Sequence, residues 1–149
     1  NIAGIVGLAE ALQIANKKRK SQSLREAKLR DYFIKNILKT IPKSVLNGHP
    51  ETRLPNNVNV SILDAEGEAM LLWLDKYGIC AATGSACDSQ SLDPSHVILA
   101  LGKSYEYANG TLRFTPGRST TKQDIDYVLK ILPKIVKELR KISPVKVKI

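Results

Sequence analysis

The chain has 149 residues, with 23 Lys and Arg against 14 Asp and Glu, a formal net charge of +9. Apolar residues make up 43 % and charged residues 25 %, which excludes a disordered or collagen-like chain and fits one globular domain with its own core. The longest run free of Asp, Glu, Lys and Arg is the eleven residues 77–87, too short for a transmembrane helix.

The first residues lack an initiator Met and the charged n-region of a signal peptide, so position 1 reads as a cut in a longer chain. Residues 2–15 are apolar nearly all round, the pattern of a buried helix with neighbours on every side. The helix continues through the basic run Lys17-Lys18-Arg19-Lys20 and along a stripe of Leu29, Phe33 and Ile37 to about Lys39, where Pro42 ends it. Residues 1–43 hold ten basic and three acidic side chains. That run reads either as a solvated helix face or as a nucleic-acid surface. No aromatic residue interleaves with it, which argues against base stacking.

Residues 43–56 are punctuated by Gly48, Pro50, Pro55 and Asn56 and read as loop. Residues 57–62 alternate polar and apolar, a half-buried strand. A short amphipathic helix follows over 67–77 and stops at Gly78 in the position of a left-handed cap. Residues 79–82 read as a short buried strand, with Cys80 as a core hydrophobe. Small and polar residues from Thr83 to Ser91 form a loop, and Asp93-Pro94 starts a helix that ends at Gly102. Residues 111–115 alternate again as a strand. The last helix opens on a capping box, Thr121 with Asp124, and Ile125, Val128, Leu129, Leu132, Ile135, Val136 and Leu139 fall on one face. Pro133 should kink or break it. The order predicts a two-layer α/β domain with a small sheet of about three strands packed by helices.

The loop carries the chemistry. A cysteine among Gly, Ser and Ala is free to meet a substrate, and Cys87 reads as a mobile nucleophile. By itself the setting also fits an inert thiol. Six residues separate Cys80 from Cys87, and His49 and His96 lie in unrelated segments, so no metal site is expected. His49 reads as a loop residue and His96 as a capping or surface residue. Two cysteines are too few for a disulfide framework, and a reducing, cytoplasmic setting is the expectation.

Ala82-Thr83-Gly84-Ser85-Ala86-Cys87-Asp88-Ser89, followed by Leu92-Asp93-Pro94-Ser95-His96-Val97 and Ala100-Leu101-Gly102, resembles the active-site loop of cysteine desulfurases. These are pyridoxal-phosphate enzymes of the class V aminotransferase group, and the likeness is to the subgroup with the long cysteine loop. Gly110-Thr111-Leu112-Arg113-Phe114-Thr115, with Gly117-Arg118, resembles the strand that carries the substrate arginine. Residues 1–15 resemble the helix after the phosphate-contacting turn. Pro116 stands where the family has an aliphatic residue, and Ser119 where an aromatic is common.

The resemblance implies the carboxy-terminal small domain of a fold type I pyridoxal-phosphate enzyme. It implies one domain over 1–149, with a connecting helix over 1–40 and a small α/β domain over 41–149 bearing the cysteine loop 83–93. The family converts L-cysteine to L-alanine and leaves the sulfur as a protein persulfide. Cys87 is then the catalytic nucleophile and Arg113 the residue that binds the substrate carboxylate. Asp88 beside the thiol disfavours the thiolate, so activation must come from elsewhere. The cofactor lysine lies outside this chain, no cofactor-binding residue is expected within it, and the chain alone is expected to be inactive. Implied partners are a sulfur-acceptor or iron–sulfur scaffold protein and a second copy in a homodimer, with no membrane. A non-catalytic sulfur-relay module and a basic nucleic-acid-binding domain are the alternatives. The net charge of +9 and the basic run speak for nucleic acid, which is not the expected partner.

Overall fold

A computed structural model describes residues 1–84, 95–144 and 147. Helix α1 spans Ile2–Thr40, and the Oδ1 of Asn1 caps it by accepting the Gly4 N–H at 2.9 Å. Only its second half enters the core, through Phe33, Ile34 and Ile37. Every residue from 1 to 20 is exposed, Ile2 by 81 % and Ile5 by 68 %. The expected neighbours of the apolar first half are therefore not supplied by the described residues. The sheet and the last helix reach only the second half.

Strand β1 is Ser44–Leu46, β2 is Val58–Ile62 and β3 is Thr111–Phe114. They form one antiparallel sheet in the order β1-β2-β3. Val45 faces Ser61 in the first pair, and Asn59 faces Arg113 in the second. The sheet has three strands, as expected, but one is a different segment. Residues 79–82 contribute only an isolated bridge, Ala82 to Arg113. The Ile79 N–H is still engaged by the Leu74 carbonyl at 3.0 Å, so too few residues remain to run a ladder. β1, read as loop, becomes a strand because the edge of β2 captures it. Three residues are too few to show that in sequence.

Val58, Val60, Ile62, Leu112 and Phe114 line one sheet face and join a single apolar cluster with α1 and the last helix. Phe33 and Phe114 meet there, with ring centroids 5.0 Å apart. Helix α2, Gly67–Lys76, adds Met70 and Leu74 and gives way at Gly78, whose φ of 70° suits glycine. Helix α3, His96–Ala100, is short, and the Asp93-Pro94 start lies outside the described residues. Helix α4, Tyr105–Asn109, is unannounced in the sequence. Helix α5, Lys122–Ile142, opens on the expected capping box. It is continuous through Pro133, not broken there. Ile131, Leu132, Ile135 and Val136 are buried on both sides of the proline and hold the helix against the cost of about 3 kcal/mol for the missing bond. Among the described residues, no helix is long and apolar enough to cross a membrane.

Candidate functional site

Arg113 lies on β3 between two different neighbours. On one side is β2. On the other, its N–H donates to the Ala82 carbonyl at 2.6 Å and its carbonyl accepts from the Ala82 N–H at 3.0 Å. Ala82 is the root of the loop that holds Cys87, so arginine and loop share one backbone mount. Cys87 itself, with Asp88, lies outside the described residues.

Next to the bridge, Thr83 packs on Gly67 at the start of α2. A Cβ at Gly67 would stand 2.8 Å from the Thr83 methyl and 2.9 Å from the carbonyl oxygens of Asn109 and Thr111. The glycine lets the loop root, α2 and β3 approach this closely.

The sheet face that carries Arg113 is polar. Asn47, Ser61 and Thr111 are buried there, although the alternation in 57–62 suggested a wet face. Asn47 Nδ2 donates to Asn59 Oδ1 and to Ser61 Oγ, each at 2.8 Å, and Ser61 and Thr111 hydroxyls lie 3.2 Å apart. Thr111 Oγ1 donates to the Tyr107 carbonyl of α4 at 2.9 Å. Nothing in the sequence marks this network, because its members meet only through strand register.

Arg113 Nε is buried and has no hydrogen-bond partner among the described residues. Leaving a buried donor unmet costs about 1–3 kcal/mol, so such a group calls for a reason. A carboxylate brought to this guanidinium is the chemistry it fits. Arg118 is exposed and borders a shallow groove along α1 with Glu26 and Gln22. The turn around it is stapled by Arg25, whose guanidinium donates to the carbonyls of Gly117, Arg118 and Thr120 at 3.0, 2.9 and 2.7 Å. Arg25 is thus a structural clamp, which nothing in the sequence sets apart from the other basic residues of α1.

Cys80 is exposed and not a core hydrophobe. With no ladder over 79–82, Ile79 turns inward and its neighbour turns out. His96 is exposed in α3, and His49 accepts the N–H groups of Glu51 and Thr52 at 3.1 and 2.8 Å to close its own loop.

Pyridoxal phosphate, implied by the resemblance, requires a lysine in an enclosed site. The described lysines do not fit it. All but Lys43 and Lys103 are exposed; Lys43 is tied to Asp64 at 2.8 Å, and Lys103 lies 5.1 Å from the Tyr107 ring centroid.

Residues 1–128 match the model of the family described as Aminotransferase class-V. The chain is 49 % identical over 144 residues to the cysteine desulfurase IscS of Methanosarcina thermophila, covering 97 % of this chain and 35 % of that protein. It is 49 % identical over 144 residues to the cysteine desulfurase IscS 1 of Archaeoglobus fulgidus, covering 97 % and 37 %. The chain thus spans about a third of the length of the curated relatives it matches. A solved structure titled NIFS-LIKE PROTEIN superposes with a TM-score of 0.79 at 27 % identity over 93 % of this chain and 34 % of that one. The NifS-like protein of Rickettsia africae shares the fold, with a TM-score of 0.69 at 23 % identity over 88 % of this chain and 33 % of that one.

Proposed function

This chain belongs to the aminotransferase class-V family, and from that premise we propose that it is the part of a cysteine desulfurase that supplies the sulfur-accepting thiol and the carboxylate-binding arginine. Class-V aminotransferases and cysteine desulfurases are pyridoxal-phosphate enzymes in general, and cofactor binding falls to residues outside this chain. Arg113 holds the carboxylate of L-cysteine. Cys87, as thiolate, attacks the substrate sulfur. The new S–S bond leaves a persulfide on the protein, the C–S bond breaks, and the substrate carbon keeps the electron pair and takes up a proton to give L-alanine. The observation that supports this reading most is the unmet buried donor of Arg113, on a strand bridged to the root of the cysteine loop. The persulfide then passes to an acceptor or iron–sulfur scaffold protein, the enzyme works as a homodimer, and its setting is the cytoplasm.

The test uses the full-length protein loaded with pyridoxal phosphate. L-cysteine should yield alanine and a persulfide that mass spectrometry places on Cys87. Cys87→Ser should lower alanine release at least about 100-fold, the scale of a lost nucleophile. Undiminished release by that variant would overturn the assignment. The 149-residue chain with added cofactor should show no turnover.

A further inference from the structure

Resting on the reading that Arg113 binds the substrate carboxylate, we propose that Asn59 is the residue that positions its guanidinium. The two face each other across β2 and β3. The main-chain groups of Arg113 turn away, to Ala82 at 2.6 and 3.0 Å, and the Asn59 carbonyl turns the other way to accept the Asn47 N–H at 3.0 Å. Asn59 and Arg113 are therefore a non-hydrogen-bonded pair, the kind in which opposed side chains stand closest.

The Asn59 amide is itself anchored. Its Oδ1 accepts from Asn47 Nδ2 at 2.8 Å, and the buried Asn47 is locked to Ser61 at 2.8 Å. An amide oxygen has two acceptor sites, and this bond fills one. Opposite Asn59 in register is Arg113, whose Nε–H is buried and without a described partner. Because Nε is closed to solvent, an incoming carboxylate meets the outer nitrogens Nη1 and Nη2. A hydrogen bond donated by the Nε–H to the Asn59 oxygen as the substrate arrives fixes the plane of the fork and aims both outer nitrogens at the carboxylate. Asn59 acts through Arg113 and does not touch the substrate.

The experiment is a double-mutant cycle in the full-length holoenzyme, read as KM for L-cysteine and Ki for cysteamine, which lacks the carboxylate. Asn59→Ala should raise KM about tenfold, the worth of one such hydrogen bond, with kcat changed less than about twofold and the cysteamine Ki unmoved. The double variant with Arg113→Ala should be no worse than Arg113→Ala alone. Asn59→Asp has the same shape and guards against a variant that fails to fold. Its charge should pair with the guanidinium and raise KM for L-cysteine selectively. Effects of Asn59→Ala and Arg113→Ala that add in full, or KM values for both Asn59 variants within twofold of the parent, would sink the role of Asn59 alone. An Arg113→Ala variant with unchanged KM would remove the carboxylate reading itself.

Discussion

Asp64 shows how much one side chain can tie together. It follows Leu63 after β2 in a left-handed conformation, φ 64°, which Asp tolerates better than most residues. Its carboxylate accepts from Lys43 Nζ at 2.8 Å and from the Val147 N–H at 2.6 Å, and its side chain is only 7 % exposed. Desolvation pushes its pKa up, but the bonds from Lys43 and Val147 and the charges of Lys43 and Arg140 outweigh that and hold it below the usual carboxylate range. The folded-state pKa is depressed, so this stabilisation is present above the unfolded-state value and fades as pH falls through the folded-state value. Asp64→Asn keeps the backbone conformation and removes the charge. It should cost about 1–3 kcal/mol in urea unfolding at pH 7, and the difference from the parent should shrink below about pH 4. A pH-independent difference would mean that the charge contributes nothing. Cys80 gives the opposite case. Exposed and outside any ladder, it should accept Ser with a change within about 0.5 kcal/mol.

Elements meet where one glycine-sized gap and one helix cap allow it. Gly67→Ala places a methyl group against two backbone carbonyls that cannot yield cheaply. It should cost about 1–3 kcal/mol and displace the Thr83 root of the cysteine loop, visible as amide shifts at residues 82–84. In α5 the Thr121 side chain accepts the Asp124 N–H while the Asp124 carboxylate accepts the Thr121 N–H. Thr121→Ala should therefore lower stability by about 1 kcal/mol without changing the core. Both elements had readable signals, but of different quality. The capping box is a local pattern of two residues whose partners are three positions apart. The crowding at Gly67 involves residues 83, 109 and 111. A glycine before an amphipathic run shows nothing of what will be brought against it.

At the scale of the whole molecule, α1 is two different helices in one. Its second half is core; its first half exposes Ile2, Ile5, Val6, Leu8 and Leu12 by 56–81 %. Apolar surface of this extent on a projecting helix favours association. The isolated chain should self-associate in sedimentation, and Ile5→Gln with Leu8→Gln should weaken that association while leaving the unfolding midpoint nearly unchanged, since neither residue touches the core. A lowered midpoint would mean that the first half is packed in solution.

The amino-acid sequence by itself determined α1, α2, α3 and α5, the central strand, β3, the capping box and the family likeness. Each rests on periodicity or on neighbours close along the chain, and both survive in one dimension. Only tertiary structure decided that Ser44–Leu46 is a strand while 79–82 is not, that Arg25 staples the turn after Arg113, and that Asn47, Asn59 and Ser61 form a hydrogen-bonded polar file. Those depend on which strand edges and side chains arrive together from distant positions, and hydrogen bonds between such groups leave no periodic trace. Arg113 needed both. Its segment was recognisable from sequence, but the burial of its Nε, the bridge to the loop root and the amide opposite it exist only once three separate stretches of chain are folded against one another.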